Sequence, residues 1–194
     1  MMYFKLNALL AIHLFYIVMF SGIAAAEGIV SKPYQADQGS LPIISHADMI
    51  RSEKDFLREM IEHHQEAVDT SVLIFVSTED PELRKLVESI YTTRSNEILE
   101  MRISYANWYN LIPRGAMYRP IMSDLNAVSG KERDIHYLLH MIVHHRAAVD
   151  MAEKVLSLHG IHIETLKFAK HLIKRQLDEI SLMEQWLEKA GALM

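Results

Sequence analysis

From about residue 47 onward the apolar positions recur at helical spacing. Met49, Phe56, Met60, Ala67, Val68, Val72 and Phe75 fall on one stripe and predict a helix from about Ala47 to Val76. The segment "STEDPEL" then stops that helix and starts another, with Asp80 as N-cap and Pro81 in the first helical position. The second helix carries Leu83, Leu86, Val87, Ile90, Ile98, Met101, Tyr105 and Trp108. Residues 111–130 hold two prolines and two glycines and read as a connection, with a short helical turn after Ser123. A third helix is expected from about Lys131 to Leu158, closed by Gly160, and a fourth from about Ile163 to Lys189. The pattern predicts an all-α bundle of four helices in two antiparallel hairpins, about 47–110 and 131–190.

The two hairpins share more than periodicity. "EMIEHHQEAVD" (59–69) and "HMIVHHRAAVD" (140–150) agree at seven of eleven positions at an offset of 81. "RSNEILEM" (94–101) and "QLDEISLM" (176–183) share Glu-Ile and a methionine at an offset of 82. Any two core helices share Ile, Ala and Val. Paired histidines, methionines, a glutamate and an aspartate at matched places argue for an internal duplication.

Residues 1–26 break the pattern. One lysine, Lys5, precedes a long apolar run that ends in Ala24 and Ala26, the arrangement of a secretory signal peptide cleaved after Ala26. The alternative is an uncleaved membrane anchor. Either way the expected location is periplasmic or secreted. Residues 27–45, with Gly28, Pro33, Gly39 and Pro42, read as an extended arm before a bundle of residues 46–194. The formal charge of −5 and the lack of any Lys/Arg cluster argue against a nucleic-acid partner. The chain has no cysteine, so an exported form has no disulfides and must be held by packing. A soft-metal site would have to use methionine and histidine.

Helix geometry makes that possibility concrete. Met60 and His64 share the inner stripe with Phe56 and Ala67, as Met141 and His145 do with Tyr137 and Ala148. His63 and His144 sit about 100° round, on the flank. Counted from the hairpin turns, Met60 and Met101 are level to within about 3 Å, and Met141 and Met183 to within about 5 Å. Each Met-x-x-His-His set therefore meets a methionine of its partner helix. Sulfur plus imidazole suits Cu(I), or Ag(I) as its mimic; imidazole alone would also accept Cu(II), Ni(II) or Zn(II).

Several neighbours have two readings. Glu97 and Glu179, one turn before the methionines, either orient an imidazole or line a solvated helix edge. Asp69 and Asp150 read as surface positions, or Asp69 as an ion-pair partner of Arg94. Arg94 and Gln176 fall on the inner stripe, where a polar group needs a partner. His136, His140 and His144 form an i, i+4, i+8 stripe that is either a second, exposed metal site or a histidine-rich polar face. His46 and Met49 are a looser pair of the same ligand types. His159, His162 and His171 read as loop or surface residues, and Met122 and Met151 as core filler.

"FLREMIEHHQEAVD", "YLLHMIVHHRAAVD" and "QLDEISLMEQW" resemble the M-x-x-H-H-x-x-A and Q-x-x-E-I-x-x-M-x-x-W motifs of the domain-of-unknown-function family DUF305, over about residues 46–190. The resemblance implies a ferritin-like four-helix bundle, often exported, with copper bound through Met60, His63, His64 and Met101 in one half. In the other half the implied ligands are Met141, His144, His145 and Met183. In the first half Arg94 stands in place of the motif glutamine, and Trp108 falls one turn later than Trp186 does in its copy. The expectation is an exported protein that sequesters copper or hands it to a periplasmic efflux or delivery protein. Two rivals remain. A di-iron oxidase needs Glu-x-x-His on two helices, and Met60 and Ile61 stand where those glutamates would be. A structural bundle without metal needs no such residues at all.

Overall fold

The computed structural model describes residues 45–113 and 118–192, so the expected leader and all but the last residue of the arm lie outside it. The described residues belong to one unit, Pro42–Met194. Four α-helices make it up: α1 (Glu53–Ser77), α2 (Pro81–Tyr109), α3 (Gly130–Leu156) and α4 (Ile163–Lys189). Two short 3-10 turns, His46–Met49 and Leu125–Ala127, precede α1 and α3, and no strand occurs among the described residues. None of the described helices is long and apolar enough to cross a membrane.

Side-chain caps set most of the boundaries. Helix α1 begins later than periodicity predicts because Ser52 is extended and its hydroxyl accepts from the Asp55 N–H at 3.2 Å. Upstream, Ser45 and Asp48 form a capping box that closes a separate turn. Helix α2 starts as expected: Asp80 Oδ1 accepts from the N–H groups of Glu82 (2.8 Å) and Leu83 (2.9 Å), and Pro81 follows it. It ends on Asn110 in the left-handed region (φ 50°), a conformation asparagine tolerates. Helix α3 stops at Leu156, short of the expected Leu158, and Gly160 (φ 72°) turns the chain toward α4.

The helices run antiparallel to their neighbours. Contacts pair His64 with Glu97 across α1 and α2, His145 with Glu179 across α3 and α4, and His63 with His144 across α1 and α3. Arg94 meets Glu179 across α2 and α4. Two apolar zones fill the interior. One holds Phe56, Met60, Met101, Tyr105, Met151 and Leu172; the other holds Ala67, Ile74, Val87, Tyr137, Met141 and Met183. The inner stripes read from the sequence, Phe56-Met60-His64-Ala67 and Tyr137-Met141-His145-Ala148, are buried at every position. Between the zones the stripes carry their polar residues, so the bundle has a polar layer at mid-height.

One hydrogen bond ties α1 to α3 inside the second zone: Ser71 Oγ lies 2.8 Å from Tyr137 Oη, both buried. Ser71→Ala leaves the phenol without that partner, and urea denaturation should show a loss of about 1–3 kcal/mol.

Candidate metal-binding core

Five residues form a continuous chain across the polar layer. His64 Nε2 lies 3.0 Å from Glu97 Oε2, to which Arg94 Nη1 donates at 2.9 Å. Arg94 Nη2 donates to Glu179 Oε2, and His145 Nε2 donates to that same oxygen at 2.7 Å. Each helix supplies at least one member, and all five are buried. The Glu179 carboxylate therefore holds His145 and the Glu97 carboxylate faces His64; both are buried and do not line a solvated edge. Asp69 takes no part. It is exposed and accepts a hydrogen bond from Gln65, so its pairing with Arg94 is not formed. The reason is direction: Arg94 lies on the inward face of α2, and Asp69 on the outward face of α1.

Burial raises the Glu97 carboxyl, but His64, Arg94 and Arg175 outweigh it and hold the group at about 2. Glu179 is likewise raised by burial, then lowered overall by His145 and Arg94. Burial pushes His64 and His145 down to about 4, more than their glutamate partners push them up. His63 and His144 are lowered too, chiefly by burial. All four imidazoles are neutral at neutral pH.

The flank histidines face each other. His63 and His144 are buried in the α1–α3 seam with ring centroids 3.6 Å apart. His63 Nε2 lies 3.0 Å from the His144 carbonyl oxygen. A carbonyl only accepts, so Nε2 carries the proton and Nδ1 keeps its lone pair. The same reasoning applies to His145, whose Nε2 donates to a carboxylate. His64 and His144 also direct Nε2 toward glutamates, Glu97 at 3.0 Å and Glu66 at 3.2 Å, off the line of a good hydrogen bond. On all four rings Nδ1 is buried and has no partner. With Nε2 of His64 and His144 counted, six imidazole nitrogens in one core lack a partner, which is costly unless a proton donor or a metal ion engages them. Neutral imidazole with one nitrogen held by a carboxylate or carbonyl and the other free is the usual state of a metal ligand.

The four expected methionines are all buried: Met60, Met141 and Met183 completely, Met101 at 2 % exposure. Met60 and Met101 lie in one apolar zone, Met141 and Met183 in the other. The pairing expected from the hairpin count therefore places the two sulfur sets on opposite sides of the polar layer. No three His, Asp or Glu side chains among the described residues converge closely enough to hold a metal by themselves. A metal set here must draw on methionine.

The His136-His140-His144 stripe divides. His144 turns into the seam, His136 is exposed and His140 half-buried, with the 136 and 140 rings 6.5 Å apart and nearly parallel. His46 lies edge-on to His63 at 6.4 Å and 5.1 Å from Tyr118; Met49 is half-buried in the same turn. His159, His162 and His171 are exposed, and Met151 is core. His162 nonetheless has a structural place. Its ring stacks on Trp108 at 4.0 Å, and its Nδ1 donates to Glu53 Oε2 at 2.6 Å.

Sequence reasoning missed Glu66. Its carboxylate accepts from Tyr118 Oη and from the N–H groups of Ile121 (3.0 Å) and Met122 (2.9 Å), and it faces His144. It thus fixes the connector against the histidine seam. No local signal marks it, because its partners are more than fifty residues away.

No curated protein matches the chain. The sequence matches the family described as "Domain of unknown function (DUF305)" twice, over residues 53–118 and 110–187. Among solved structures it is similar to CopM in its Cu(I)-bound form: 28% identity, 71% of this chain and 96% of that one covered, TM-score 0.65. It is similar to CopM in a silver-bound form at 30% identity, with coverage of 70% and 95% and TM-score 0.62. A DUF305 protein from Streptomyces coelicolor described as secreted matches at 28% identity, with coverage of 76% and 95% and TM-score 0.63. The two family matches together span residues 53–187, most of the chain, and the chain belongs to the DUF305 family.

Proposed function

We propose that this protein binds copper, with Cu(I) preferred, as cargo to be sequestered or passed on outside the cytoplasm. One observation carries the reading. Four neutral, buried histidines keep Nδ1 unpartnered, with Nε2 of His63 and His145 held by a carbonyl and a carboxylate and Nε2 of His64 and His144 facing glutamates, one helical turn from buried methionines. Thioether sulfur and imidazole are the donors a soft monovalent ion takes, and neither must lose a proton to bind. Met60 and Met101 with His63 or His64, and Met141 and Met183 with His144 or His145, would hold it. CopM, a relative of the same fold, has been solved with Cu(I), Cu(II) and silver bound, which supports a metal of this class. Export is supported by the leader pattern and by the relative described as secreted.

Competition titration of the purified protein with a Cu(I) chelator tests the proposal. At least one equivalent should bind, more tightly than Zn(II). The triple replacement Met141→Leu, His145→Gln, Met183→Leu should remove most of that binding, since each lost ligand is worth a factor of about 10 or more. Unchanged stoichiometry and affinity in the triple variant would sink the assignment.

A further inference from the structure

The polar layer already contains a cation. Arg94 is fully buried, and its two terminal nitrogens donate to one oxygen each of Glu97 (Oε2, 2.9 Å) and Glu179 (Oε2). Those same two oxygens face Nε2 of His64 at 3.0 Å and of His145 at 2.7 Å. Without the guanidinium, the remaining groups are two carboxylates and two neutral imidazoles, one from each helix. That is a donor set for a borderline divalent ion. With the guanidinium present they are held around it and do not converge on a common point. Among the described residues the one other charge on this group is Arg175, which donates to Glu97 Oε1 from a partly exposed position.

We propose that Arg94 is a specificity determinant: a built-in monovalent cation that keeps divalent metal ions out of the centre of the bundle. It does so in two ways. It fills the space between the carboxylates, and its fixed charge repels a second cation where little water screens it. The two hairpins differ at this position in a way that fits. The counterpart of Arg94 on α4 is Gln176, buried at 1 % exposure and neutral. Two carboxylates facing each other need a cation between them, and one arginine serves both. A ligating imidazole would present Nε2 and carry its proton on Nδ1, which has no competing partner. The inference does not depend on where Cu(I) binds.

Arg94→Gln tests it, placing at 94 the side chain that its counterpart already carries. All variants are made in a His136→Ala, His140→Ala background, which removes the exposed histidine pair as a competing site. Thermal unfolding is followed in excess Zn(II) and in chelator, and the visible spectrum is recorded with Co(II). In the Arg94→Gln protein, Zn(II) should raise the midpoint by about 10 °C or more, and Co(II) should give ligand-field absorption bands. The background protein with Arg94 intact should show neither. If Arg94→Gln is unfolded in chelator, Zn(II) should restore a cooperative transition. The proposal is overturned if Arg94→Gln behaves identically in Zn(II) and chelator, folded or not. It is overturned equally if the Arg94 protein gains the same shift, or if the shift survives in Arg94→Gln, Glu97→Gln, Glu179→Gln.

Discussion

Arg94→Ala should destabilise the metal-free fold by about 3–5 kcal/mol, the usual loss when one partner of a buried charge network is removed. The guanidinium is 0 % exposed and, among the described residues, is the only positive charge on Glu179; Glu97 also has Arg175. Without Arg94, two carboxylates face each other across the core with neutral histidines beside them, and one must take a proton for the fold to persist. Urea denaturation in chelator at neutral pH measures the loss. Adding Glu97→Gln and Glu179→Gln should recover part of it, because the uncompensated charges are then gone. A single-variant loss under 1 kcal/mol would mean that the carboxylates do not depend on Arg94.

Mild acid should weaken the metal-free protein well before the carboxylates titrate. His64 and His145 sit at about 4 in the fold, against 6.5 when exposed. A histidine lowered by folding lets the unfolded chain take up protons first. Stability is therefore full above 6.5, falls as pH drops below it, and levels off only beneath the folded value. Each of the two should remove about 2 kcal/mol by about pH 5. His63 and His144 move in the same direction and add to the loss. Below 4.5 the sign stays the same for a different reason. Glu97, at about 2 in the fold, stabilises above its unfolded value and loses that contribution as pH falls further. Denaturant midpoints at pH 7.5 and 5 give the comparison. Replacing both His64 and His145 by Gln should flatten the slope; equal slopes in the two proteins would remove the buried histidines as its source.

These two predictions rest on contacts that the sequence marked unevenly. Arg94 and Gln176 were legible as polar groups on an inner stripe, because helical periodicity places a residue on a face whatever lies opposite. The partner was not legible. Arg94 reaches Glu179, 85 positions away on α4, and nothing in either local pattern specifies how α2 and α4 face each other. The Asp69 alternative failed because Asp69 lies on the outward face of α1 while Arg94 points inward. Glu53 shows the limit again: no local pattern singles it out, yet it accepts from Tyr109 Oη at 2.7 Å and from His162 Nδ1 at 2.6 Å.

The sequence by itself determined the four helices, their hairpin order, the buried stripes and the placement of each Met-x-x-His-His set beside a methionine of its partner helix. All of these follow from 3.6-residue periodicity, caps and short connections, which act within one helix or between chain neighbours. Only the tertiary structure decided how one hairpin lies on the other. That packing closes His63 onto His144, threads Arg94 between two glutamates and leaves Nδ1 of all four core histidines unpaired. The physical reason is that inter-hairpin register is fixed by the simultaneous fit of all four inner faces, and no single stretch of sequence carries it.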